Sequence, residues 1–204
     1  MSLFKQTLAV LAMAAPLAAY ATVPANTIDF GFSRLTDQVS VAPTFVSGDL
    51  GVTVRGFNSS NQQKDVAIGL KGLGVTTGFL EPGEVNSNLF NSPGEYLTLT
   101  FNKEVQLTKL TFALWEDGFD KAIFSWNGNS LELGSNNSGF LFDSFTLNGV
   151  TGTSFKIQAT GAFSSFRLLG VSAVAAIPEP STYALMGLGL VGIALAARRR
   201  RRGA

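Results

Sequence analysis

The chain has 204 residues, 46% hydrophobic and 14% charged, with 22 Gly, 17 Phe, no Cys and no His. A chain without His or Cys has no imidazole general base, no thiol nucleophile, no disulfide and no His- or Cys-ligated zinc, so any catalysis falls to carboxylates, Lys, Tyr and hydroxyls. The net charge of +1 hides a segregation: residues 22–177 hold 9 basic and 13 acidic side chains, while Lys5 and the five arginines Arg198 to Arg202 lie outside them. That body, at −4, presents no basic stripe for nucleic-acid phosphates.

Residues 1–21 have the layout of a secretory signal peptide. Lys5 precedes the short apolar run Leu8 to Ala18, and Ala19-Tyr20-Ala21 sets small residues three and one before a cut, so the mature chain is expected to begin at Thr22. A signal helix is expected there.

Residues 22–175 form the expected body. From Thr27 to Val174 no apolar pattern at helical spacing runs beyond two turns, whereas period-2 segments bounded by Gly, Asn, Ser and Asp recur. Strands are expected at Thr27 to Phe32, Val39 to Phe45, Gly51 to Phe57, Val66 to Leu70, Tyr96 to Phe101, Lys121 to Trp126, Asn129 to Leu133, Phe140 to Phe145, Ser154 to Thr160 and Phe166 to Ala173. Leu97, Leu99 and Phe101 alternate with Tyr96, Thr98 and Thr100, and Phe155, Ile157 and Ala159 with Lys156, Gln158 and Thr160, giving each strand one buried and one wetter face. Val105 and Leu107 share a parity that Leu110, Phe112 and Leu114 break, which predicts a bulge or strand break near Thr108 and Lys109.

Asn127-Gly128 predicts a tight type I′ hairpin, and Asn148-Gly149 offers a weaker second one. Asn58 to Lys64 and Phe79 to Gly94 are expected loops. The sum is an all-β fold: a two-sheet antiparallel sandwich of jelly-roll type, with an eight-stranded soluble barrel as the alternative.

The densest chemistry is Trp115-Glu116-Asp117-Gly118-Phe119-Asp120-Lys121, followed by Trp126. Glu116, Asp117 and Asp120 with loop carbonyls could supply oxygen ligands to Ca²⁺, although D-G-F-D lacks the spacing of an EF-hand loop. No other cofactor is indicated. Trp115 or Trp126 could stack on a sugar ring. The alternative is an acidic turn with both Trp rings in the core. A second acidic group, Asp29, Asp49 and Glu95, converges only if the fold brings it together. Two carboxylates flanking a sugar-sized cleft, such as Glu116 and Asp120, would be needed for glycoside hydrolysis, and the 13 acids of the body provide chance pairs.

Residues 176–204 are organised differently. Pro178-Glu179-Pro180 forces an extended backbone, because each proline fixes φ and disfavours helix in the residue before it. An uncharged run from Tyr183 to Ala197 follows, about 22 Å long as a helix against a hydrocarbon core of about 30 Å. Arg198, Arg199, Arg200, Arg201 and Arg202 then close the segment. Such a cluster acts as a stop-transfer signal and fixes the cytoplasmic side of a membrane helix. The Pro-Glu-Pro triplet, the Gly/Ala/Leu-rich span and the terminal Arg cluster together resemble the PEP-CTERM sorting signal of Gram-negative bacteria.

The resemblance implies passage through the secretion machinery, transient anchoring in the inner membrane by a C-terminal transmembrane helix, recognition by an exosortase, and release or transfer of the body to the cell surface or extracellular matrix. It also implies association with biofilm exopolysaccharide. The expected function is therefore a non-enzymatic exported matrix or surface component, which in one version binds polysaccharide. A carboxylate-dependent glycan hydrolase and a purely structural adhesion module are the alternatives.

Overall fold

The computed structural model describes residues 27–76, 83–87, 93–134, 140–175 and 187–190. The signal-peptide segment 1–21, the sorting triplet Pro178, Glu179 and Pro180, and most of the expected transmembrane helix lie outside these residues. So do all five stop-transfer arginines, Arg198, Arg199, Arg200, Arg201 and Arg202, whose role rests on the sequence pattern. Residues 187–190 are helical and exposed. Among the described residues no helix is long and apolar enough to cross a membrane.

The described residues of the body form twelve strands: β1 (Ile28–Gly31), β2 (Gln38–Ser40), β3 (Thr44–Ser47), β4 (Leu50–Phe57), β5 (Gln63–Gly69), β6 (Gly72–Thr76), β7 (Val85–Asn86), β8 (Tyr96–Glu116), β9 (Lys121–Trp126), β10 (Asn129–Leu133), β11 (Phe140–Thr160) and β12 (Ser165–Ala175). The main path of neighbours is β1-β12-β6-β5-β4-β8-β11-β9-β10. β12 also pairs with β8, so β12, β6, β5, β4 and β8 close a five-stranded ring. The fold is all-β as expected. Its strands are joined by hydrogen bonds into one continuous sheet, where a jelly roll would have two separate ones.

The joining is done by β8 and β11, 21 residues each, which run antiparallel to each other along most of their length. The first half of β8 pairs with β4 and the second with β12. The two halves that the sequence suggests as separate strands are thus single bent ones. Bending is absorbed at bulges. Against β12, Lys109 pairs with Ser172 and Leu107 with Ala173, so Thr108 is the extra residue at the predicted parity slip. A second slip falls at Leu114, whose φ is +61°: Ala113 pairs with Phe142 and Trp115 with Leu141. It sends Trp115 inward in place of Leu114.

Two expected strand features are corrected by local chemistry. Asn148-Gly149 does not reverse the chain but lies inside β11, between the pairs Thr146–Lys109 and Val150–Leu107. The residues between them form a bulge that buries Leu147 in the core. The segment Val39 to Phe45 divides into β2 and β3 because Pro43 has no N–H for a ladder; its carbonyl still accepts Val54 N–H at 2.9 Å. The Asn127-Gly128 turn, by contrast, has φ of +45° and +79° and closes β9 onto β10 with Trp126 opposite Asn129, the I′ geometry expected.

Besides the Phe32–Phe45 pair, the core holds two groups of four aromatic rings among the described residues. Phe30, Phe101, Phe155 and Phe124 form a chain of rings with centroids 5.8–6.0 Å apart. Phe112, Trp115, Phe145 and Phe166 form a tighter knot, with Trp115 5.0–5.3 Å from the other three rings. Gly72, at φ +94°, lets β6 approach β12: a Cβ there would stand 2.2 Å from the Leu168 carbonyl oxygen.

Candidate functional site

The acidic turn between β8 and β9 is held from within. Asp120 is buried, and its two oxygens accept the N–H of Glu116 at 2.5 Å and of Ser165 at 2.7 Å. The backbone N–H groups of Phe119 and Asp120 in turn donate to the Glu116 carbonyl. Ser164 Oγ accepts Lys121 N–H, and Ser165 Oγ donates to Glu84. This carboxylate therefore fastens β8, β9 and β12 together at one end of the body. Burial pushes its pKa above the ordinary carboxylate value, against the lowering effect of the two N–H bonds.

That arrangement turns both oxygens of Asp120 toward backbone N–H groups and away from Glu116 and Asp117 as a common ligand set. Among the described residues no group of three carboxylates converges, and Glu116, Asp117 and Asp120 make no ligand set. The sugar-stacking role drawn for Trp115 fails for a steric reason, since its ring is 0% exposed inside the aromatic knot. Asp29, Asp49 and Glu95 are not brought together either: Asp29 accepts from Ser172, Asp49 pairs with Lys103 and Glu95 accepts Asn86 N–H. The Lys103 ammonium holds the Asp49 carboxyl below its ordinary range.

Trp126 remains available. It is half-buried, stacked on Phe124 at 5.3 Å, and helps to line a depression of about 420 Å³. The other walls are Ser125, Asn127 to Ser130, Ser154, Phe155 and Lys156. Hydroxyls and amides beside an indole suit a polyhydroxylated ligand, which offers both donors and an apolar C–H face.

Three of those walls, Ser125, Ser130 and Lys156, belong to the outer face of the sheet, and strand register organises that face. Leu99, Val54, Ile157 and Phe124 point into the core. Their alternates point out. Across five strands the pairs Ser130–Ser125, Ser125–Lys156, Lys156–Thr98 and Thr98–Arg55 make one continuous row. It crosses β10, β9, β11, β8 and β4 and is about 19 Å long at the usual spacing of strands.

The parallel row contains Ile123, Gln158, Tyr96 and Phe57. Tyr96 and Phe57 stack at 4.8 Å, and the Tyr96 hydroxyl donates to Asn61 at 3.1 Å. Lys156 Nζ lies 4.0 Å above the Tyr96 ring, a cation–π contact that fixes the amine along the face. Partial burial lowers the Lys156 pKa and raises that of Tyr96. Gln158 donates to the Gly94 carbonyl at 2.9 Å.

Lys156, Tyr96, Thr98, Ser125 and Arg55 were not singled out as candidate residues by sequence reasoning. The signal available was the wetter parity of their strands. What aligns them is register between segments far apart in the chain, which no local pattern carries.

Comparison with known proteins adds the following. Residues 176–201 match the family described as the PEP-CTERM protein-sorting motif, a match that takes in the Pro-Glu-Pro triplet and Arg198, Arg199, Arg200 and Arg201. The C-terminal segment is thus the sorting signal that these residues resemble, consistent with an exosortase substrate. The signal implies export, transient anchoring by the C-terminal tail and processing by exosortase, a membrane protein. No curated protein matches the chain. Among solved structures, the chain is similar to "X-ray structure of GH31 CBM32-2 bound to GalNAc" at 16% identity, over 68% of this chain and 95% of that one, with a TM-score of 0.26.

Proposed function

We propose that this protein is a non-enzymatic component of the extracellular matrix, delivered through its PEP-CTERM signal and holding polysaccharide on the outer face of β4, β8, β11, β9 and β10. The observation that carries this reading is the uninterrupted row from Ser130 to Arg55, which joins the Trp126 depression and runs beside the Tyr96–Phe57 stack. A shallow surface of hydroxyls and amides, with the rings of Phe57 and Trp126 partly exposed at its borders, suits a long glycan that binds by many weak contacts. The acidic turn supports the non-enzymatic reading, since Asp120 is committed to backbone N–H groups.

Two experiments test it. Replacing Pro178 and Glu179 together by Ala should leave the full-length chain in the inner membrane on fractionation, and normal release of that variant would contradict sorting through the triplet. Co-sedimentation of the exported protein with the producer's own exopolysaccharide should show saturable binding; a protein left wholly in the supernatant would remove the polysaccharide role.

A further inference from the structure

We infer that the polysaccharide held on this face is anionic: a chain of carboxylate-bearing sugars lying across the strands, with Arg55 and Lys156 taking its acid groups. This rests on the reading of the outer face as the glycan surface and adds the chemical class of the glycan.

Arg55 and Lys156 flank Thr98 in one register row. Their backbones are therefore two strand spacings apart, roughly 10 Å. This is on the order of a disaccharide, so acid groups on alternate sugars can reach both cations while the hydroxyls of Thr98 and Ser125 meet the sugars between.

Neither cation is in an ion pair among the described residues, where the two pairs are Lys103–Asp49 and Lys121–Glu132. Glu132 faces the same side, opposite Ile123, and is engaged by Lys121 at 3.7 Å. Asp65 follows Lys64, the β5 partner of Gly56, and makes no ion pair with Arg55.

Both side chains are also half-buried rather than fully solvated. A Lys kept partly out of water without a carboxylate carries a desolvation cost that an incoming anion would offset. Lys156 is already directed along the face by Tyr96, so little rotamer entropy remains to be lost when it binds. The rest of the body cannot supply this attraction, because residues 22–177 carry a net charge of −4. Attraction for a polyanion is local to this row, and repulsion elsewhere on the body favours a single orientation of the chain.

The test uses the full chain in detergent and two probes, polygalacturonate and neutral dextran. Three proteins are compared: wild type, the pair Arg55→Gln with Lys156→Gln, and the pair Lys71→Gln with Lys109→Gln. The last removes the same charge from exposed positions away from the row. All three retain Arg198 to Arg202, so any attraction of that cluster for the polyanion is common to them.

The expected result is preference for polygalacturonate over dextran, with affinity for the polyanion falling roughly tenfold or more in the row variant and less than about twofold in the control. Raising salt from about 0.05 to about 0.5 M should weaken wild-type binding more than that of the row variant. Equal loss in both variants, or none in the row variant, would overturn the assignment to Arg55 and Lys156. Equal binding of both probes to wild type would overturn the anionic class while leaving a glycan-binding face. Binding of neither probe would overturn the face itself. Unchanged thermal unfolding of the row variant separates lost contacts from lost structure.

Discussion

The acidic turn and the open face of the sheet have opposite relations to their sequence. Around Glu116 to Lys121 the titratable groups are contiguous, and the fold turns the most buried of them, Asp120, inward to accept two N–H groups. On the open face Arg55 and Lys156 are 101 positions apart in the chain, and the fold sets both beside Thr98. Density of charged residues in a sequence therefore indicates where a turn needs polar groups. A binding surface on a sheet is assembled by register.

The comparison is broken most severely by attacking the turn's aromatic support. Trp115→Ala would leave a ring-sized void among Phe112, Phe145 and Phe166, and is expected to cost about 3–5 kcal/mol of stability in denaturant unfolding. Retention of wild-type stability would mean that the ring is not in the core. Asp120→Ala should cost about 1–3 kcal/mol, since it leaves the Glu116 and Ser165 N–H groups without their acceptor.

A finer test uses pH. The Asp120 pKa is raised in the folded state, so between the unfolded value near 3.8 and the raised one the folded protein binds more protons. The contribution of Asp120 is then fully present below the unfolded value and is lost as pH rises through the folded value. Asp120→Asn should flatten that part of the stability profile; an unchanged slope would show that another group produces it. The smallest effect is expected on the open face. Thr98→Leu with Ser125→Leu should shift stability by no more than about 0.5 kcal/mol, because both positions lie on the outer side of the sheet.

Much of the fold was legible because its signals are local. Asn127-Gly128 specifies a hairpin through residues that tolerate positive φ, and the break in parity after Leu107 locates the bulge at Thr108. The same dipeptide logic misread Asn148-Gly149, since a bulge and a turn both need a left-handed residue and only pairing with β8 decides between them. The Leu114 slip was hidden because Leu fits either face, so the inward position of Trp115 could not be read from spacing. β6 escaped notice as a five-residue strand containing two glycines, one of which is required by contact with β12.

For the candidate site, Trp126 was legible as an aromatic beside a polar hairpin, and Lys156 and Thr98 as members of wetter strand faces, whereas Tyr96, expected on such a face, is buried beneath Lys156 and beside Phe57. Their alignment was not legible, since it depends on which strands become neighbours and at what register. The sorting signal shows the contrasting case. Its information is held in a short contiguous segment, so the sequence alone contains the pattern that the family match describes.

The most direct test of the account is calorimetric titration of the producer's exopolysaccharide into two variants of the exported protein, with and without a calcium chelator. Thr98→Leu with Ser125→Leu alters the open face, and Glu116→Gln with Asp117→Asn alters the acidic turn. The account predicts affinity lowered roughly tenfold in the first and unchanged within about twofold in the second, whether or not chelator is present. Loss of binding in the second variant or on chelation, with the first unaffected, would contradict it and return the site to the acidic turn.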